Sequence, residues 1–122
     1  MATRRVIFLD DDQDLREVFT VMTSQLGIAA TAVASVAELT RAMTDHSDGA
    51  FDLAILDINL GAGSPSGLAA YRWLRDHQFT GRVVFLTGHA RSHPLVSEAS
   101  QIGDAVVYEK PMTAAQLRSI MA

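Results

Sequence analysis

The chain has 122 residues, 48% of them hydrophobic and 20% charged, enough for one compact globular domain with a real core. Ten basic residues stand against fourteen acidic ones, a formal net charge of −4, which argues against non-specific binding to nucleic acid or to an anionic membrane. The absence of cysteine excludes disulfides, thiolate nucleophiles and cysteine-based zinc sites.

The first apolar run, Val6–Leu9, follows Arg4 and Arg5 but stops at three aspartates, so it reads as a strand and not as a secretion signal. A helix should follow, because Leu15, Val18, Phe19, Met22 and Leu26 recur at spacings of three and four and Gly27 sits where it would stop. Ala29–Ala34 has strand length; Ser35 then caps a second helix through Leu39 and Met43, with Glu38 placed to complete a capping box. Phe51–Leu56 is a third strand, followed by the Gly61–Gly67 loop and a third helix marked by Leu68, Tyr71, Trp73 and Leu74. Tyr71 and Trp73, two apart on one helix, are expected to have one member on the core and one on the surface. Val83–Leu86 is a fourth strand, Leu95, Val96 and Ile102 mark a less regular fourth helix, and Ala105–Tyr108 is a fifth strand. Thr113 caps a fifth helix carrying Leu117, Ile120 and Met121. Strand and helix alternating five times imply a parallel sheet with helices on both faces. No run approaches the roughly 20 apolar residues that a bilayer span requires, so the chain is expected to be cytoplasmic and a single domain over 1–122.

In such sheets chemistry gathers at the carboxyl ends of the strands. The first strand ends in Asp10-Asp11-Asp12, the third in Asp57, the fourth in Thr87 and the fifth in Lys110-Pro111. Carboxylates brought together there repel: at an effective dielectric near 20, a pair 4 Å apart costs about 4 kcal/mol. A hard cation with oxygen ligands, Mg²⁺ first among them, relieves that cost. Asp12 and Asp14 are better read as charges complementing the first helix's dipole. A calcium loop over Asp10, Asp12 and Asp14 fails because Leu15 and Val21 stand where it needs glycine and glutamate. His89 and His93 have helical zinc spacing, but Pro94 follows and no third ligand is evident, so they read as exposed loop residues.

Taken together, Phe8-Leu9-Asp10-Asp11-Asp12, Leu56-Asp57-Ile58-Asn59-Leu60, Phe85-Leu86-Thr87-Gly88 and Lys110-Pro111 closely resemble the motifs of the response regulator receiver domain of two-component signalling. The resemblance covers the whole chain. It implies a flavodoxin-like, doubly wound α/β fold with a five-stranded parallel sheet in the order 2-1-3-4-5 and five helices. It also implies a phosphoacceptor signalling domain, not a conventional enzyme. Asp57 would accept the phosphoryl group from a histidine kinase or histidine phosphotransfer protein, and an output domain or protein would read the result. Asp11, Asp57 and the backbone carbonyl of Asn59 would ligate Mg²⁺, for which Mn²⁺ can substitute, with Asp10 acting through a metal-bound water. Thr87 and Lys110 would bind phosphoryl oxygens, while Asn59, Gly88 and His89 would tune access and phosphoryl lifetime.

Two other readings compete. A strand followed by Asp10-x-Asp12 is also similar to the nucleophile motif of haloacid dehalogenase-type phosphohydrolases, which generally need a longer chain and further acidic motifs. A degenerate receiver serving only as a binding module would not be expected to keep Asp11, Asp57, Thr87 and Lys110. The chain also departs from the receiver pattern. Gly61 replaces a usual proline, and the Gly61–Gly67 loop is longer than usual. The switch aromatic usually found three residues before the lysine is Val107 here, with Tyr108 displaced by one. A one-residue shift in a strand turns the side chain to the other face, so output by the usual aromatic is not expected.

Overall fold

The computed structural model describes residues 5–45, 51–60, 66–88, 94–103, 105–110 and 112–121. His89, His93, Pro111 and residues 61–65 of the expected long loop lie outside the described residues. The strands are β1 (Arg5–Leu9), β2 (Ala29–Val33), β3 (Leu53–Asp57), β4 (Arg82–Thr87) and β5 (Ala105–Glu109). The helices are α1 (Gln13–Gln25), α2 (Val36–Asp45), α3 (Gly67–Asp76), α4 (Pro94–Ser100) and α5 (Ala114–Met121). All strand pairs are parallel and the sheet order is β2-β1-β3-β4-β5, the flavodoxin-like arrangement. The third strand starts later and runs one residue further than the apolar run suggests, so that Asp57 is its last residue.

Side-chain alternation distributes the core over both faces of the sheet. Ala54, Leu56, Val83 and Phe85 pack with Leu39, Leu68, Leu74 and Val96 on the face of α2, α3 and α4. Leu53, Ile55, Val84 and Leu86 pack with Phe19, Leu117 and Ile120 on the face of α1 and α5. Burial on both sides is why the central strands read as continuous apolar runs. Each fully buried Leu, Ile or Phe contributes about 2 kcal/mol, and Ile7, Leu9, Ile55, Leu56 and Phe85 are at or near complete burial. Phe8 and Phe19 stack with ring centroids 4.2 Å apart, clamping α1 to β1.

Helix ends follow local chemistry. Asp12 caps α1, its carboxylate accepting the N–H groups of Asp14 and Leu15, and Gly27 adopts φ +71° just past the helix end. Ser35 Oγ accepts the Glu38 N–H, the first half of the box read from the sequence. Thr113 and Gln116 form a complete reciprocal box at α5, with bonds of 3.1 and 3.0 Å.

Two aromatic expectations have different outcomes. Tyr71 and Trp73 do not divide between core and surface: both are half-buried against the α2–α4 face. Tyr71 tilts onto Phe85 at 5.8 Å while Trp73 stacks on His77 at 4.0 Å, so large rings on opposite flanks of α3 each reach the core edge. The displaced aromatic does turn over: Val107 packs on the α2–α4 face and Tyr108 on the α1/α5 face. A groove of about 290 Å³ runs along α4 and β5, lined by Thr87, Val96, Ser100, Val107 and Glu109 among others.

Candidate functional site

Parallel pairing puts the strand ends on one rim. Asp10 follows β1, Asp57 ends β3, Thr87 ends β4 and Lys110 follows β5. The Asp10 N–H donates to Val33 O at 3.1 Å, the Ile58 N–H to Leu86 O at 3.0 Å, and the Lys110 N–H to Thr87 O at 2.8 Å, so each strand end is tied to its neighbour. Asp10, Asp57 and Thr87 are the buried polar residues of this rim, at 0, 2 and 3% exposure, whereas Asp11 is exposed.

Carboxylate oxygens of Asp10, Asp11 and Asp57 lie within 4.8 Å of one another. Lys110 Nζ reaches between two of them, 3.1 Å from Asp10 Oδ2 and 3.0 Å from Asp57 Oδ2. One ammonium cannot neutralise three carboxylates. Asp57 is pushed up from 3.8 to about 6, chiefly by burial and then by the Asp10 charge; Lys110 opposes the shift and Asp11 adds to it. Burial works against the Lys110 charge, but Asp57 and then Asp10 outweigh it and hold its pKa above the ordinary 10.5.

Asp10 Oδ1 accepts the Asp12 N–H at 2.9 Å, whereas Oδ2 is buried without a properly directed hydrogen bond despite its proximity to the ammonium. An acidic, all-oxygen donor set with a buried, under-satisfied oxygen fits a hard divalent cation. Asn59 is half-buried two residues beyond Asp57, and Gly88 is exposed. Among the described residues, a Cβ at Gly88 would meet only Lys110 Cδ, at 4.0 Å. His89 lies outside the described residues.

Sequence reading missed two residues. Arg16, on α1, donates from Nη1 to the Asp10 backbone carbonyl at 2.8 Å. Gly67, the first residue of α3, lies so close to β3 that a Cβ there would stand 2.2 Å from Asp57 O; its N–H donates to Ile58 O at 2.9 Å. The helical position of Arg16 gave no hint of a backward reach, and Gly67 read only as the end of a loop.

The sequence matches the response regulator receiver domain family over residues 6–122, and the chain belongs to that family. Its members are signalling phosphoacceptors, not conventional enzymes, which removes the phosphohydrolase alternative. The chain is 32% identical over 75 residues to the transcriptional regulatory protein GltR of Pseudomonas aeruginosa, a match covering 62% of this chain and 29% of that protein. Among solved structures, it resembles a receiver domain (CheY-like) from Methylobacillus flagellatus, with 26% identity, TM-score 0.77 and coverage of 98% and 97% of the two chains. It also resembles a response regulator receiver protein from Sinorhizobium medicae, with 27% identity, TM-score 0.76 and coverage of 96% and 90%. No helix among the described residues is long and apolar enough to cross a membrane.

Proposed function

We propose that this domain, spanning 1–122, takes a phosphoryl group onto Asp57 from a phosphohistidine of a histidine kinase or histidine phosphotransfer protein, in a Mg²⁺-dependent reaction in the cytoplasm. The observation that carries this reading is Lys110 Nζ lying 3.0 Å from the buried Asp57 carboxylate and 3.1 Å from Asp10 in an all-oxygen acidic pocket. An Asp57 oxygen attacks phosphorus as the phosphorus–nitrogen bond of the donor breaks. The bonding pair stays on the imidazole nitrogen, and an acyl phosphate forms on Asp57. Attack needs the ionised carboxylate; burial and Asp10 disfavour that form in the metal-free pocket, and a divalent cation there would favour it. Asp10, Asp11, Asp57 and the Asn59 carbonyl would hold Mg²⁺, which supplies neutralisation of the negative charge gathered at the transferring group. Lys110 and Thr87 bind the phosphoryl oxygens of the product. Gly88 leaves room for them, and Asn59 and His89 tune how long the acyl phosphate survives.

Acetyl phosphate with Mg²⁺ is expected to add one phosphoryl group by intact mass, on Asp57, and Asp57→Asn to abolish it. Labelling undiminished in that variant overturns the assignment, and an inert wild-type chain favours a binding-only module. The phosphorylated state signals to an output domain or partner. With Val107 in the α4–β5 groove and Tyr108 on the far face, that signal leaves through Thr87 and the loops that follow Thr87 and Asp57. Beryllofluoride with Mg²⁺ should shift the amide resonances of those loops more than those of Ala105–Tyr108. Equal or larger shifts along the strand would assign the switch to Tyr108.

A further inference from the structure

We infer that Arg16 is a positioning residue for the metal pocket, holding the β1–α1 turn so that Asp10 and Asp11 are preset for the cation. This rests on the reading that Asp10, Asp11 and Asp57 bind Mg²⁺. Asp10 is held on every side but one. Its N–H donates to Val33 O at 3.1 Å, its Oδ1 accepts the Asp12 N–H at 2.9 Å, and its carbonyl accepts Arg16 Nη1 at 2.8 Å. Only Oδ2 is left to face the pocket and Lys110. Arg16 is itself anchored: its backbone N–H donates to Asp12 O at 3.1 Å, and Asp12 caps the same helix. Strand end, turn and first helical turn thus form one bracket closed by the guanidinium, with Asp11 between its fixed points. The Arg16 bond is the part of the bracket around Asp10 that a side chain other than its own supplies, so a substitution can remove it and leave the Asp10 carboxylate in place. A tether behind metal-binding carboxylates acts by presetting their geometry, and losing such a partner commonly weakens binding tenfold or more.

Charge and position make opposite demands on this residue. A cation beside the pocket repels Mg²⁺, so removing its charge alone would tighten binding. Removing the tether weakens it. Arg16→Gln is therefore expected to raise the Mg²⁺ dissociation constant about tenfold, measured by isothermal titration calorimetry on the whole chain. Phosphorylation by acetyl phosphate should slow by a similar factor at low Mg²⁺ and return towards the wild-type rate at saturation. Arg16→Lys, which keeps a donor and the charge, should give a smaller rise. Arg72→Gln removes an exposed cation paired with Glu98 between α3 and α4, and should leave the constant unchanged. Unchanged or tighter Mg²⁺ binding in a folded Arg16→Gln overturns the inference. If that variant does not fold, Arg16→Lys decides: weaker binding supports the tether and equal binding refutes it. A wild-type chain that binds no Mg²⁺ refutes the metal reading itself, a result distinct from any of these.

Discussion

At the amino rim of the sheet, the Asp52 carboxylate is exposed and accepts the Arg5 N–H at 2.9 Å, while its carbonyl accepts the Arg82 N–H at 3.1 Å. Arg82 also donates from its guanidinium to the Ile120 carbonyl near the end of α5. At the carboxyl rim, Asp10 and Asp57 are buried beside Asp11 with a single ammonium between them. The first rim places its acid in water with partners that suit it. The second packs like charges where screening is weak, so its ground state is strained in the sense that a cation or a protonation relieves. The difference separates a rim that holds the fold from one that is ready to change state.

The glycines of the two rims offer the largest test of this contrast. At Gly67 an added Cβ meets backbone atoms, 2.2 Å from Asp57 O, whereas at Gly81 it meets the movable Phe79 ring at 2.4 Å and Asp52 O at 2.8 Å. Gly67→Ala should cost about 3 kcal/mol, the upper part of the range for overpacking, and Gly81→Ala about 1 kcal/mol. Urea denaturation of both variants checks the order. A larger loss at Gly81 would show that β3 and α3 separate easily at Asp57.

Asp57→Asn should come next. With its pKa raised from 3.8 to about 6, native Asp57 keeps a proton that the unfolded chain has already lost. Its contribution to stability therefore falls as pH rises through that window, and the loss persists at neutral pH. Without Mg²⁺, Asp57→Asn should be more stable than wild type by on the order of 1–2 kcal/mol at pH 7.5, with the advantage vanishing near pH 4. Lys110 keeps Asp10 as its partner. Asp52→Asn should change stability at pH 7.5 by only about a few tenths of a kcal/mol, because asparagine at this exposed site can still accept from Arg5. A wild-type advantage over Asp57→Asn that grows from pH 4 to 7 would contradict the strained rim.

The smallest expected effect is metal linkage. Mg²⁺ at about ten times its dissociation constant should add roughly 1.4 kcal/mol, a melting shift of about a few degrees. Asp11→Asn should stabilise the metal-free chain and weaken that shift. Destabilisation of the metal-free form with the Mg²⁺ shift intact would remove Asp11 from the shared pocket.

The alternating elements, the caps at Ser35 and Thr113, the stop at Gly27 and the acidic ends of the first and third strands were legible in the sequence, whereas Asp12 read only as a charge at the start of the first helix. Each depends on signals a few residues long: apolar periodicity, a side chain reaching its own helix N-terminus, or a glycine free to take positive φ. The turnover of Tyr108 relative to Val107 was legible too, because a strand's period of two fixes which side chains share a face. Other features belong to the assembled fold. Both Tyr71 and Trp73 reach the core, since how far a large ring extends around a helix depends on neighbouring strands. The upward shift of Asp57 arises from burial and from Asp10, which parallel pairing of β1 with β3 places beside it. The contact of Gly67 with Asp57 and the reach of Arg16 to Asp10 are likewise set by how α3 and α1 seat on the sheet. Local chemistry chose the elements and the reactive groups; packing fixed the distances between them, and electrostatic energy depends on those distances.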